Sequence, residues 1–332
     1  MRVFVAGASG AIGRQLVPRL VASGHQVIGM THRPQNLALL RKLGAEPVQA
    51  DVLELDRLRG LFLLLRPHAV IAELTSLPKT LDLTRMRAAF RGNNRVRLDG
   101  TTNLIVAARE AGVRRLVCQS MAMWYAPDGP ALRTETDPLY VDAPEPIATG
   151  VRTLKEMEWR VLGSGLEAML MRYGGFYGPG TWNGEGGPLW SATRKRRFPL
   201  LGDAPGVYSW IHVDDAAAAT VLALERGEAG GVYNVVDDDP APVREWLPFY
   251  AAAIGAPPPL HIPERIARRL ARTGFLAWER TIPGVSNARI KRELGWRPRW
   301  ASWREGFRDG LNSGFEHLAP RGSDPFELQP WT

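Results

Sequence analysis

Gly7, Gly10 and Gly13 stand three apart, between an apolar run, Arg2–Ala6, and a helix-like pattern carried by Leu16, Leu20 and Val21. Strand, glycine turn and helix in that order make a phosphate-binding site. Gly7 permits a tight turn off the strand. Gly10 leaves the backbone bare where a pyrophosphate approaches, and Gly13 lets the helix pack close to the sheet. Ser9, Ala11 and Ile12 complete the loop, and the helix start offers unpaired N–H groups and its positive dipole end. A glycine-rich turn without a ligand is the alternative reading, and the flanking strand and helix argue against it.

The other strand ends show what a dinucleotide would meet. Gln26–Met30 runs into Thr31-His32-Arg33. An acid here would bond the adenosine ribose hydroxyls. The chain has none and offers Arg33, a partner for a 2′-phosphate, so NADP is the expected cofactor and NAD the alternative. A third strand, Glu46–Gln49, precedes Asp51 and Val52. Asp51 is placed to meet the adenine amino group, or to cap the next helix. His68–Ala72 leads to Glu73, Leu74 and Thr75, then to a long helical pattern from about Leu83 to Ala111 with a break near Gly92. Arg114–Cys118 is strand five and ends in Gln119-Ser120. Ile147–Leu162 is helical, and Ala168–Arg172 is strand six, followed by Tyr173, Gly174 and Phe176. This alternation predicts an α/β protein of the Rossmann type, a doubly wound parallel sheet with its ligand at the carboxyl ends of the strands. That rule assigns Thr31, Arg33, Asp51, Val52, Leu74, Thr75, Ser120, Tyr173, Gly174 and Phe176 to the cofactor.

The chain has 332 residues, 45% hydrophobic and 23% charged, enough for one large domain or two smaller ones with a sizeable core. Its one cysteine, Cys118, leaves no disulfide framework or cysteine metal site within a chain, and no metal is expected. The first strand starts at residue 2, leaving no room for a leader, and the most apolar run, Leu61–Leu74, is broken by Arg66, His68 and Glu73. A cytoplasmic protein is expected. The formal charge of +8 gathers in Arg194-Lys195-Arg196-Arg197 and in Arg265, Arg268, Arg269 and Arg272. A nucleic-acid or membrane surface is one reading. With no nucleic-acid motif beside the charge, solvated helix faces are the better one.

After Arg172 the rhythm changes. Gly174–Pro188 holds seven glycines, two prolines and three aromatics, a loop composition. Val207–Ile211 and Val232–Val236 read as strands, His212-Val213-Asp214-Asp215 opens an alanine-rich helix, and the chain is mostly helical from Val243. The expected organisation is a dinucleotide-binding domain, 1–174 with about 207–236, and a smaller, mostly helical C-terminal substrate domain, about 175–206 and 237–320. Residues 321–332 form a tail.

These motifs together resemble an extended short-chain dehydrogenase/reductase, and more narrowly the bacterial NAD-dependent epimerase/dehydratase proteins. The resemblance is carried by Gly7-x-x-Gly10-x-x-Gly13, Asp51, Gly100-Thr101-Thr102-Asn103-Leu104, the run Met171–Gly180, and Ile211-His212-Val213-Asp214-Asp215. It extends to about residue 316 through Ser286-Asn287-Ala288 and Leu294-Gly295-Trp296. It is specific for the fold and much less so for the reaction.

The resemblance implies a Tyr-x-x-x-Lys pair on the helix after strand five, the tyrosine moving a proton and the lysine holding the nicotinamide ribose. Counting back from Lys155, the tyrosine position holds Val151. Matching Glu158 to the family's glutamate instead gives Gly150 and Leu154. The tyrosine is missing in both registers. The usual asparagine before the Gly-Thr pair is Arg97, and the usual serine falls at Ser120 or, by spacing, at Met121. Ser120, Lys155 and Arg97 are the candidate catalytic residues, with Lys155 also a candidate at the cofactor. Glu73, Gln119 and Tyr140 are near the same place. Arg97 pairing with Glu73 or Asp99, and Lys155 as a solvated helix lysine, are the plain alternatives.

The substrate side departs as well. Gly175 and Tyr208 stand where sugar-nucleotide epimerases resembling this chain carry pyrophosphate contacts. The chain offers Phe176, Trp182, Tyr208 and Trp210 instead, which suit an apolar or aromatic small molecule. His212 and Asp214-Asp215 read as a strand–helix junction with an aspartate cap. The leading expectation is an NAD(P)-dependent oxidoreductase on such a molecule with a non-standard proton relay, with a homodimer as a candidate assembly. A dinucleotide-binding redox sensor and a non-redox isomerase or lyase are the competing functions.

Overall fold

The strands of the sheet are β1 (Arg2–Ala6), β2 (Gln26–Thr31), β3 (Glu46–Gln49), β4 (Ala69–Ala72), β5 (Arg115–Met121), β6 (Glu167–Tyr173) and β7 (Val232–Val235). Those at its centre are short apolar runs buried on both faces, as a parallel sheet covered by helices requires, while the edge strand β3 has no buried residue. Their order is β7-β6-β5-β4-β1-β2-β3, every pair parallel. The order reverses at β1, so the crevice between the carboxyl ends of β1 and β4 is the ligand position of the doubly wound fold. This computed structural model describes residues 1–77, 86–270 and 274–313. The start of the expected helix at Leu83 and the expected tail 321–332 lie outside the described residues.

Helices cover both faces. In chain order they are α1 (Ala11–Ala22), α2 (Leu37–Lys42), α3 (Leu55–Leu65), α4 (Met86–Arg95), α5 (Thr101–Glu110), α6 (Ile147–Leu162), α7 (Pro188–Arg194) and α8 (Val213–Arg226). Leu16 and Leu20 of α1 share one core with Ala216, Ala219 and Leu224 of α8. Leu58 and Leu61 of α3, Leu104 of α5 and Leu154 and Val161 of α6 fill the other. Arg19 of α1 donates to both carboxylate oxygens of Asp214 on α8, at 3.0 and 2.6 Å, which fixes the two helices side by side.

The break in the helical stretch is at Val96–Gly100, a π-turn, and not at Gly92, which lies inside α4. The turn is held by Gly100, where a Cβ would stand 2.7 Å from Val52 and 3.4 Å from Leu74. Only a glycine lets the chain pass so close to the ends of β3 and β4.

The C-terminal half adds short strand pairs and small helices, α9 (Val243–Ala253), α10 (Glu264–Leu270), α11 (Gly274–Glu279) and α12 (Ala288–Leu294). Gly175–Tyr177 pairs with Trp210–His212 in parallel. An aromatic cluster of Tyr177, Tyr208, Trp210, Trp246, Tyr250 and Phe307 forms the centre of this part. Among the described residues, no helix is long and apolar enough to cross a membrane.

Candidate active site

The glycine turn has three different jobs for its three glycines. Gly7 has a φ of +88°, and a Cβ on it would run into the carbonyl of Glu73 at the end of β4. A Cβ on Gly13 would run into the carbonyls of Gly7 and Ala8. Gly10 is exposed, and a Cβ there would meet only the Gly7 carbonyl, at 3.1 Å. The crowded glycines shape the turn and the open one faces outward, so the N-terminus of the twelve-residue α1 presents its N–H groups over a bare backbone. That cradle fits a dinucleotide pyrophosphate.

At the adenosine end, the Ser9 hydroxyl donates to Thr31 Oγ1 at 3.1 Å, and Thr31 Oγ1 accepts from the Arg33 backbone N–H at 3.2 Å. The Arg33 side chain is exposed beside His32. Arg14, one residue past the last motif glycine, donates from Nε to the Ser9 carbonyl at 3.0 Å. The Arg14 guanidinium thus lies against Ser9, and Arg33 follows Thr31 by two residues with its side chain exposed. The glycine pattern drew attention away from Arg14, although its place directly after Gly13 was legible. Asp51 is exposed and accepts from the Leu53 N–H at 3.0 Å, a local turn bond; the cap position of the next helix is Glu54, so Asp51 does not cap it. Val52 and Leu74 are buried at the ends of β3 and β4, and Thr75 is exposed beside them.

Tyr173 and Gly174 lie deeper than a cofactor contact needs. The Tyr173 hydroxyl is 3.0 Å from Glu73 Oε1 and 2.6 Å from Thr220 Oγ1 on α8. A Cβ on Gly174 would run into the Ser209 carbonyl, so this glycine serves strand packing. Burial pushes the Glu73 carboxyl up to about 8, against the opposing hydrogen bond to Tyr173.

Among the described residues, no hydrogen bond or ion pair joins Ser120, Lys155 and Arg97 to one another. The Ser120 hydroxyl donates to Glu158 Oε1 at 2.5 Å, inside a buried network in which Arg172 holds both Glu158 oxygens, at 2.8 and 2.6 Å, and donates to the Tyr125 hydroxyl at 2.8 Å. This network fixes the rotation of α6. Glu158 faces the sheet, and so do Leu154 and Gly150 one and two turns before it, while Lys155 is exposed on the outer face. Val151 is fully buried on the same helix, so the two registers differ in Lys155, which is exposed, against Leu154, which is buried. At Gly150, a Cβ would stand 2.9 Å from the ring of Trp124, which occupies the space a side chain there would need.

Arg97 lies in the π-turn with only 5% of its surface exposed and its guanidinium carbon 5.8 Å from the centre of the Trp124 ring. It pairs with neither expected acid. Asp99 faces Arg95 at 3.8 Å, and Glu73 is joined to Tyr173. Burial lowers the Arg97 pKa to about 10, which leaves it charged at neutral pH. Gln119 is buried and Tyr140 half-buried, its backbone N–H donating to the Trp124 carbonyl.

The loop after Tyr177 passes the start of α1, where a Cβ on Gly180 would stand 3.9 Å from Ala11. Asn183 ties it down, donating to the Phe176 carbonyl at 2.7 Å and accepting at its own carbonyl from the Tyr250 hydroxyl at 2.7 Å. Phe176 and Trp182 are half-buried in this covering loop. Tyr208 and Trp210 are not part of it. Trp210 is 1% exposed, packed on Trp246 and Phe307 behind Gly175 and Met123, and Tyr208 stacks on it.

His212 rather than an aspartate caps α8. Its Nδ1 accepts from the Asp214 N–H at 3.1 Å, and its Nε2 faces the Gly310 carbonyl at 2.9 Å, so the ring is neutral; burial lowers its pKa to about 4. Asp215 accepts from the backbone N–H groups of Arg299 and Trp300. Among the described residues, no group of three His, Cys, Asp or Glu could hold a metal ion.

A seven-stranded parallel sheet with a glycine turn at its switch point and a covering loop over it defines a dinucleotide-binding enzyme scaffold. The profile of the NAD dependent epimerase/dehydratase family matches residues 3–236, and the chain belongs to that family. It is 42% identical over 312 residues to the 3-diazoavenalumate denitrifying reductase of a Streptomyces species, covering 92% of this chain and 99% of that one. It is 30% identical over 317 residues to the UDP-glucose 4-epimerase of Mycolicibacterium smegmatis, covering 91% and 95%. The Thermus thermophilus UDP-glucose 4-epimerase, solved in complex with NAD, superposes with a TM-score of 0.70 at 27% identity, covering 94% of this chain and 98% of that one. The chain is thus a nicotinamide-dependent enzyme of the oxidoreductase or epimerase kind, acting on a small molecule.

Proposed function

We propose that the chain is a cytoplasmic, NADPH-dependent reductase of an aromatic small molecule, working without a tyrosine proton relay. The observation that carries this reading is Trp124 against Gly150: the indole fills the space beside the helix where a phenol would have to project. Leu154, fully buried, stands one turn later where a cation would support it. The cofactor supplies a hydride when bound. The turn at Gly7, Gly10 and Gly13 would hold its pyrophosphate, Arg14 and Arg33 its 2′-phosphate, and Phe176 and Trp182 would close over the site.

A reaction that asks no proton of the enzyme suits such a site. The Streptomyces relative is named as a reductase that removes nitrogen from a diazo compound. Replacing an aromatic diazonium group by hydrogen balances as ArN2+ + H− → ArH + N2. One C–H bond forms, the C–N bond breaks, and its electron pair leaves with N2. The substrate class proposed is therefore an aromatic compound with a diazo group. A homodimer belongs to the same reading, with Trp159, 70% exposed, and Leu162 giving α6 an apolar outer face.

The test is to mix the protein with NADPH and an arenediazonium salt, following NADPH absorbance and N2 release against a protein-free control. Protein-dependent NADPH loss matched one to one by N2 is expected. Tight NADPH binding with no turnover on diazonium salts, quinones or aryl ketones would instead favour a cofactor-binding sensor.

A further inference from the structure

We propose that Arg97 binds an anionic oxygen of the substrate, a phenolate or a carboxylate, at the carboxyl end of β5. The inference rests on the reading of this site as that of an aromatic reductase. Arg97 is in the π-turn Val96–Gly100, an insertion of the kind that proteins place at functional sites. Its side chain reaches Trp124, three residues past the end of β5.

No carboxylate of the described residues pairs with it: Asp99 faces Arg95, Glu158 is held by Arg172 and Ser120, and Glu73 is joined to Tyr173 through Oε1, its Oε2 being buried without a partner. None of the described residues accepts a hydrogen bond from the Arg97 guanidinium; its neighbours are the Trp124 ring and the Cys118 thiol. A charge buried this deeply without a partner is costly, and a bound anion removes that cost. The guanidinium presents a flat fork of donors that matches an oxyanion.

The cofactor phosphates do not meet this need. They belong to the turn after β1, and β4 lies between β1 and β5. A cationic diazo group alone would be repelled by Arg97, so the substrate must carry its own negative oxygen. In this arrangement Arg97 selects aromatic acids or phenols and excludes neutral arenes.

The test uses the full-length protein with NADP+ bound and two probes, 4-nitrophenol and cinnamate. The absorbance of bound 4-nitrophenol reports how much of it is phenolate. The parent should raise the phenolate-to-phenol ratio by about tenfold or more over free solution, as a cation within contact distance does. Arg97→Gln should abolish that gain and Arg97→Lys should keep most of it, with NADP+ affinity unchanged in both. Should the carboxylate be the bound group, cinnamate affinity falls at least about tenfold in Arg97→Gln while 4-nitrophenol ionisation is unaltered. If both probes bind parent and Arg97→Gln alike, or if the variant loses NADP+ affinity in proportion, the proposal is overturned. If Arg97→Gln does not fold, a parent that binds 4-nitrophenol with no gain in phenolate overturns it equally. If neither probe binds the parent, the aromatic-reductase reading itself fails, and the proposal with it.

Discussion

The ring of Trp124 stands 2.9 Å from the point where a Cβ on Gly150 would lie. A tyrosine at 150 must therefore displace an indole that is itself buried against the core. Val151, the other position, is fully buried. Overpacking of this kind costs about 1–3 kcal/mol. Gly150→Tyr and Val151→Tyr should each lower the thermal midpoint and fail to raise kcat on the native substrate. A variant that is as stable as the parent and turns over faster would show that the site is a degraded form of the usual relay.

Ser120, Glu158, Arg172 and Tyr125 form one buried network, so they should behave as one in stability measurements. Ser120→Ala leaves a lone pair of Glu158 without its donor and should cost about 1–3 kcal/mol. Glu158→Leu strands the Arg172 charge and should cost more, about 3–5 kcal/mol. Urea unfolding of both single variants and the double variant checks this. The double should fall well short of the sum, because the two groups are bonded to each other.

The sheet was readable because its strands are apolar runs at a regular spacing, and the glycine turn because its three glycines bear on backbone geometry that no other residue satisfies. The site was read less completely. Ser120 stands at a strand end, as expected, but which face it takes depends on its pairing with Glu158 and Arg172, far away in sequence. Lys155 and Leu154 differ by one residue, and only the long-range grip of Arg172 on Glu158 decides which faces the sheet. Tyr208 and Trp210 carry the composition of a cleft wall, yet Trp246 and Phe307 bury them from separate elements. Arg97 was visible as a departure from the family, while its lack of a partner is a property of the packed structure alone.

Cofactor choice should follow Arg14, whose guanidinium bonds Ser9, and the exposed Arg33 two residues past Thr31. NADP(H) should bind more tightly than NAD(H). Arg33→Ala and Arg14→Ala should each reduce that preference by about 1–3 kcal/mol, the scale of a charge-assisted hydrogen bond. Calorimetric titration of both cofactors into the three proteins decides it. Equal affinities in the parent, or a preference for NAD, would remove NADP from the reading.

Gly10 and Gly13 should respond differently to substitution. Gly10 faces outward, so Gly10→Val should fold and lose dinucleotide binding, because the branched side chain stands where the pyrophosphate must approach. Gly13→Val presses into two backbone carbonyls and should lose stability first. Circular dichroism melts beside NADPH titration separate the two outcomes. A Gly10→Val protein that binds like the parent would mean that the turn is not the phosphate site.

The stability of the parent should fall as pH rises through the window set by Glu73. The oxygens of Glu73, Tyr173, Thr220 and the Ala216 carbonyl make three successive contacts, of 3.0, 2.6 and 2.8 Å. Tyr173 donates to Glu73 Oε1 and Thr220 to the Ala216 carbonyl, and Glu73 Oε2 is buried with no partner among the described residues. Burial favours the neutral carboxyl, raising its pKa from 4.5 to about 8. The folded chain then holds a proton that the unfolded chain has released, at every pH between those values. Its contribution is fully present below about pH 4.5 and is lost as pH rises through 8. Glu73→Gln keeps a neutral donor and acceptor in the same place and does not titrate. All other groups being common to both proteins, the difference in unfolding free energy isolates Glu73. The two should be closest near pH 5, with the parent losing ground by on the order of a few kcal/mol at most as pH approaches 8. Urea unfolding at pH 5, 6.5 and 8 measures this directly. Parallel pH profiles for parent and Glu73→Gln would show that the carboxyl is already ionised in the folded state.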